Sequence, residues 1–149
     1  MRAVVQRTLQ SSVTVENQTI AAVGQGLTVL LGVGQEDGPE DVHYLAEKIV
    51  KLRIFSDAQD KMNLSLLDIK GELLVVSQFT LFGDCRKGRR PSFDAAASPV
   101  VAKQLYELFI ERCTELGAKV ECGKFQSEMV IALENHGPVT MILDSKRNF

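Results

Sequence analysis

The chain has 149 residues, 45% hydrophobic and 24% charged, which is the size and balance of one globular unit able to bury a core without a disulfide or metal staple. Seventeen Lys and Arg against nineteen Asp and Glu give a net charge of −2, which excludes a uniformly basic nucleic-acid coat and leaves only local cationic contacts. No apolar run approaches the roughly 20 residues of a membrane span, and the opening MRAVVQR has no signal-peptide core. Three cysteines, Cys85, Cys113 and Cys122, share no CxxC spacing and suit free thiols in a reducing compartment, so a cytoplasmic protein is expected. Two histidines, His43 and His136, stand without ligand spacing, so neither a metal nor a cofactor is expected.

In chain order, Arg2 to Thr8 reads as a strand, and Ser12 to Val15 with Thr19 to Val23 reads as an antiparallel pair turned at Glu16-Asn17-Gln18. Leu27 to Val33 is nearly all apolar, as for a central strand covered on both faces. Gly38-Pro39-Glu40-Asp41 starts a helix, because Pro suits the first helical position and acidic groups suit the positive end of the helix dipole. Its stripe, Val42, Leu45, Ala46, Ile49 and Leu52, predicts an amphipathic helix from Pro39 to Leu52. Arg53 to Ser56 is a short strand candidate, and Asp57 to Leu67 reads as a loop.

Gly71 to Phe82 is the longest β-like run, with Ser77, Gln78 and Thr80 set among large apolar neighbours. Ser98-Pro99 opens a second helix with the stripe Val101, Leu105, Leu108, Phe109 and Leu116, ending at Gly117. Ala118 to Cys122, Glu128 to Glu134 and Val139 to Asp144 read as three closing strands, the last two joined at a corner, Asn135-His136-Gly137-Pro138. Two strands, two strand–helix units and three strands predict a three-layer α/β/β domain over residues 1–149, with parallel crossovers and helices on one face.

Ser77-Gln78-Phe79-Thr80 offers hydroxyls, an amide and main-chain N–H groups where a buried strand meets a loop. That suits an ester- or amide-handling site, and equally suits hydroxyls bonded to neighbouring backbone. No GxSxG elbow or adjacent base supports a Ser-His-Asp triad. At Gly137-Pro138 the cis bond costs only about 0.5–1 kcal/mol over trans; the segment reads either as an ordinary corner or as a rigid pair of carbonyl acceptors for an ammonium group. Arg86, Lys87, Arg89 and Arg90 crowd one loop flanked by Phe82 and Phe93, fitting either a solvated surface or an RNA phosphate contact. No P-loop or GxGxxG pattern is present; Gly24-Gln25-Gly26 and Gly32-Val33-Gly34 are too short. Met129 reads as core.

SQFTL at Ser77–Leu81 and NHGPVT at Asn135–Thr140, in this order and at this length, resemble the two signatures of the D-aminoacyl-tRNA deacylases. The resemblance extends through MRAVVQR, LTVLLGV, KMNLSLLD, GELLVVSQFTL, KGRRPSF and the final NHGPVTMILDS. It implies a homodimeric α/β/β enzyme that hydrolyses the ester between a D-amino acid, or glycine, and the tRNA 3′ end, with no metal. Ser77, Gln78, Phe79 and Thr80 would line the pocket for the terminal adenosine and ester. Gly137 and Pro138 would form a Gly-cisPro element inserted into the partner's pocket to reject L-amino acids, with Met129 beside the substrate. His136 stands where Asp is also familiar in the family, and Cys122 and Gln126-Ser127 depart from commoner residues. A non-catalytic module that binds tRNA ends, or a structural dimerisation domain, are the alternatives from other classes.

Overall fold

Leu27, Val29, Leu30 and Leu31, like Leu73 to Val76, leave no solvent-compatible face, so each segment needs apolar cover on both sides if it forms a strand. The computed structural model describes residues 1–149 and supplies that cover. Its elements are β1 (Arg2–Val15), β2 (Gln18–Val23), β3 (Gly26–Gly32), α1 (Pro39–Val50), β4 (Phe55–Ser56), β5 (Met62–Leu64), β6 (Glu72–Ser77), α2 (Pro99–Glu115), β7 (Lys119–Cys122) and β8 (Val130–Asp144).

β3, β6 and β7 run parallel, connected through the helical crossovers, and the first half of β1 pairs antiparallel with β3. The second half of β1 pairs with β2, and β8 follows β1 along both halves. On one face Leu27, Val29, Leu31, Leu73 and Val75 pack against Val42, Leu45 and Ile49 of α1 and Leu105, Phe109 and Cys113 of α2. On the other, Leu74 and Val76 meet Val13, Ala21 and Val23, because the β1–β2 end of the same sheet folds back over β6. Burying each of the Val, Leu, Ile and Phe side chains among these contributes about 1.5–3 kcal/mol. The three α/β/β layers are thus present, the second β layer being a continuation of the first. No helix is long and apolar enough to cross a membrane.

Several local readings change. Arg2–Thr8 and Ser12–Val15 are one strand, held extended through Leu9 and Gln10 by the β8 ladder. Its turn has two residues, since Gln18 already pairs with Val15 while Glu16 and Asn17 take positive φ, as a type I′ hairpin requires. The Asp57–Leu67 loop contains β5, paired with β4, because the Asp57 carboxylate accepts the N–H groups of Gln59 and Lys61 and closes a hairpin that hydrophobic periodicity cannot register. The long β-like run stops at Ser77: Gln78 N–H gives a last bond to Leu31 C=O at 2.7 Å, and Phe79–Phe82 coils into one 3₁₀ turn. Finally, Glu128–Glu134 and Val139–Asp144 are halves of the single strand β8. Asn135–Pro138 is a bulge within it, since Thr8 faces Asn135 while Gln6 faces Thr140. Along α2, Val101 lies 39% exposed, and Tyr106 and Cys113 take the inward face with Leu105 and Phe109. Burial pushes the Cys113 thiol up to about 12.

The start of α1 is fixed electrostatically. Burial alone would raise the Asp41 carboxyl, but hydrogen bonds from Ser145, Lys146 and the Gly38 N–H outweigh it and hold the group below its usual range. Its stabilising effect is therefore complete above the unfolded-state value of about 3.9 and is lost as pH falls through the lower folded value. Asp41→Asn should lower the Tm at neutral pH, with the gap to wild type closing as thermal melts are taken into strong acid.

Candidate active site

Strand β6 and its neighbour β3 stop in register at Ser77 opposite Leu31, so the chain leaves the sheet at the carboxyl ends of parallel strands. There it bounds a cleft of about 700 Å³ lined by Ser77, Gln78, Phe79, Phe93, Phe125 and Met129, among others. That volume falls within the range of small-molecule sites. Phe79 is 55% exposed and meets Phe93 edge to face, ring centroids 5.0 Å apart. Met129 is a wall of the cleft, and its sulfur leaves no room for a side chain on Gly123: a Cβ there would lie 2.7 Å from Sδ. Gln126, with φ 56°, and Ser127 complete the rim.

The 3₁₀ ladder begins with Leu81 N–H donating to Gln78 C=O, so the N–H groups of Phe79 and Thr80 precede its first internal donor. Thr80 is exposed, and its hydroxyl accepts a hydrogen bond from the Gln78 amide nitrogen. No carboxylate or imidazole bonds to it. No three His, Cys, Asp or Glu side chains converge in a way that would hold a metal ion.

The second motif lies elsewhere on the surface. Gly137 and Pro138 are exposed, are joined by a cis peptide bond, and do not line the cleft of their own chain. The bulge is braced from within: Asn135 Oδ1 accepts the Val139 N–H at 3.1 Å and Asn135 Nδ2 donates to Thr140 Oγ1 at 2.9 Å. It is braced from below by Arg7, a residue the sequence reading did not single out. Only 8% exposed, Arg7 donates from Nε to His136 C=O at 3.1 Å and from Nη1 to Ile54 C=O at 2.7 Å. The available signal was a charged residue inside an otherwise apolar β run. His136 contributes its carbonyl, and its side chain points to solvent.

The basic segment is a loop closed by the main-chain bridge between Asp84 and Ser92, with Gly88 at φ 70° near its tip. Its four cations are not equivalent. Arg86 is engaged by Asp84 through two side-chain bonds of 2.9 and 2.7 Å, and that guanidinium holds the Asp84 carboxyl well below the carboxylate range. Lys87, Arg89 and Arg90 are exposed and have no ion-pair partner. The loop returns to the cleft at Phe93.

Comparison with known proteins accords with this arrangement. The D-Tyr-tRNA(Tyr) deacylase family matches residues 4–144. The chain is 58% identical to a D-aminoacyl-tRNA deacylase of Thermosipho africanus and 56% identical to one of Desulforamulus reducens, covering 100% of this chain and of the relative in both cases. A solved structure of a c-Myc DNA Unwinding Element Binding Protein superposes with a TM-score of 0.92 at 38% identity, covering 97% of this chain and 98% of that one. The chain belongs to the D-Tyr-tRNA(Tyr) deacylase family. It is accordingly a hydrolase of the D-aminoacyl-tRNA deacylase class.

Gly137 gives a direct test of how tightly the second motif is built. At φ 123°, a Cβ would stand 2.7 Å from Arg7 Nη2 and 2.9 Å from Val139 Cγ2. Gly137→Ala should destabilise the fold by about 1–3 kcal/mol, measured by denaturant unfolding. It should also depress deacylation at temperatures where the variant is fully folded.

Proposed function

We propose that the Ser77–Phe79 cleft receives the 3′-terminal adenosine of an aminoacyl-tRNA together with its ester, and that a second copy of the chain supplies Gly137-Pro138 to close it. The reaction is hydrolysis: water adds to the ester carbonyl, the bond to the ribose oxygen breaks, and a free D-amino acid, or glycine, and tRNA leave. The observation that carries the reading is the separation of the two motifs, both exposed and neither completing the other within one chain. β8, which bears Gly137, pairs only with β1, so its outer edge is open, and Val130 and Ile142 on it are 66% and 63% exposed. An open edge of this length is a surface that proteins cover. A homodimer covers it and brings the Gly137-Pro138 element to the partner's cleft.

In that composite site the main-chain carbonyls of Gly137 and Pro138 accept hydrogen bonds from the substrate α-ammonium. Anchoring the ammonium fixes the ester and the α-hydrogen as well, so an L side chain is directed into backbone while a D side chain is directed outward. Rejection by backbone needs no side-chain pocket and leaves the enzyme tolerant of many D-amino acids. The N–H groups of Phe79 and Thr80 face the developing oxyanion; one such donor is typically worth about 3–4 kcal/mol. Thr80 ranks below the substrate's own ribose as the activating group, since the one partner of its hydroxyl, the Gln78 amide, is no base. The terminal ribose 2′-OH is the better-placed group to assist water. Lys87, Arg89 and Arg90 contact acceptor-end phosphates, with Arg86 committed to Asp84. This makes the protein a proofreading enzyme acting on aminoacyl-tRNA in the cytoplasm.

Incubated with D-tyrosyl-tRNA and L-tyrosyl-tRNA in turn, the protein should release tyrosine from the first and spare the second. Equal hydrolysis of both would refute chiral rejection, and binding without release would favour a tRNA-end binding module. The shared site has its own measurement. Gly137→Ala and Phe79→Ala subunits, each impaired alone, should regain activity when coexpressed, because a mixed dimer contains one unaltered composite site. No gain on mixing would place both motifs in the same subunit's site.

A further inference from the structure

The Phe79–Phe82 turn carries the groups on which the proposed reaction depends, yet it is four residues long and has no buried side chain. A single 3₁₀ turn has no stability of its own. Its entry is tied by the Gln78 N–H to β3. Its exit meets Arg2, the first residue of β1, whose neighbours Met1 and Ala3 are buried in the helix-covered core. The Arg2 Nη1 donates to Leu81 C=O at 3.0 Å, and its guanidinium carbon lies 4.5 Å from the centre of the Phe82 ring. Behind the guanidinium stands the buried Asp144 carboxylate, 3.7 Å from Arg2 Nε, itself fixed by the Lys146 N–H at 2.8 Å and Asn148 Nδ2 at 3.0 Å. Beneath the turn, bare backbone makes the seat: a Cβ on Gly32 would come 3.1 Å from Leu81 Cβ, and one on Gly34 would come 2.7 Å from the Phe82 ring.

We propose that Arg2 is a positioning residue for deacylation, clamping the carbonyl end of the turn so that the Phe79 and Thr80 N–H groups are held in one place toward the ester. The inference rests on the reading of the cleft given above. The last carbonyls of a helical turn lack internal partners and carry partial negative charge, so a cation there both satisfies and stabilises them. Arginine alone among the basic side chains bonds a carbonyl with one arm of its planar fork while laying its face on an aromatic ring. Arg2 does not line the cleft; it lines a separate depression with Phe82, Gly34 and Asp144. It therefore acts on the geometry of the reacting step and not on substrate binding.

The test compares wild type, Arg2→Met and Arg2→Lys with D-tyrosyl-tRNA, measuring kcat and KM separately beside thermal melts. Methionine keeps the length and apolar stem of the side chain and removes its charge. Arg2→Met should lower kcat by about tenfold or more, as displacement of a preorganised donor does, with KM within about twofold of wild type. Arg2→Lys should recover part of the loss, through the carbonyl bond without the stacking. A kcat for Arg2→Met within about twofold of wild type, or a loss confined to KM, would overturn the proposal. Should Arg2→Met not fold, Phe82→Leu removes the ring under the guanidinium and keeps apolar cover on Gly34; the same kcat-only loss is expected, and an unchanged kcat overturns the clamp. Failure of both variants to fold would assign Arg2 to stability alone and overturn it too. A wild type that leaves D-tyrosyl-tRNA intact sinks the deacylase reading and the clamp with it, whereas active wild type with unaltered Arg2→Met sinks the clamp only.

Discussion

The parallel pairing of β3 with β6 is the constraint from which the rest of the molecule follows, because both strands are apolar on both faces and neither can tolerate water on either side. Cover on one side comes from α1 and α2, which the crossovers place there. Cover on the other has to come from the sheet itself, so β1 is long enough to leave the first layer and carry β2 and half of β8 over Leu74 and Val76. Where the pair ends, at Leu31 opposite Ser77, the backbone must find new partners, and the 3₁₀ turn is the result. Ligand sites in parallel sheets characteristically lie outside the carboxyl ends of the strands. The cleft here obeys the same geometry.

A second consequence concerns the kind of chemistry such a site performs. The strongly shifted titratable groups in this protein are not in the cleft lining. Tyr106, raised by burial, donates its hydroxyl to Val75 C=O behind β6, and Cys113 is sealed under α2. Both are consequences of packing. The cleft instead presents the Ser77 hydroxyl, the Gln78 amide and aromatic rings, and Thr80, whose hydroxyl that amide engages, follows just beyond its lining. Perturbed titration usually points to active sites. The proposed site, which works through main-chain groups, departs from that pattern, and the proposed use of Gly137-Pro138 carbonyls from a second subunit extends the same economy to substrate selection.

Legibility followed the range of the interaction. Helix α1 was readable from Pro39, Asp41 and the Val42–Leu45–Ile49 stripe, since those signals act within a few residues, and the double burial of β3 was readable from its composition. SQFTL and NHGPVT marked two segments of interest as strings, but not their shape. Periodicity ran the strand on to Phe82, while the end of β3 decides that it stops at Ser77. The corner at Asn135–Pro138 had every turn-forming residue, and yet pairing with β1 on both sides keeps the strand continuous and turns the corner into a bulge. β5 was invisible because an Asp57 side chain, not an apolar alternation, closes its hairpin.

By itself the sequence determined the layers, the helices, the absence of a shared cysteine or histidine ligand pattern, and the family to which the paired motifs belong. Local propensity and apolar pattern carry that information, and both are written residue by residue. Only the tertiary structure decided that Arg7 buttresses Gly137, that Arg2 meets Leu81 and Phe82 across 79 residues of chain, that Asp84 occupies Arg86, and that the two motifs occupy separate surfaces. Each depends on the direction of a side chain or a carbonyl toward a partner distant in the chain, which is fixed when the sheet folds over itself and not before.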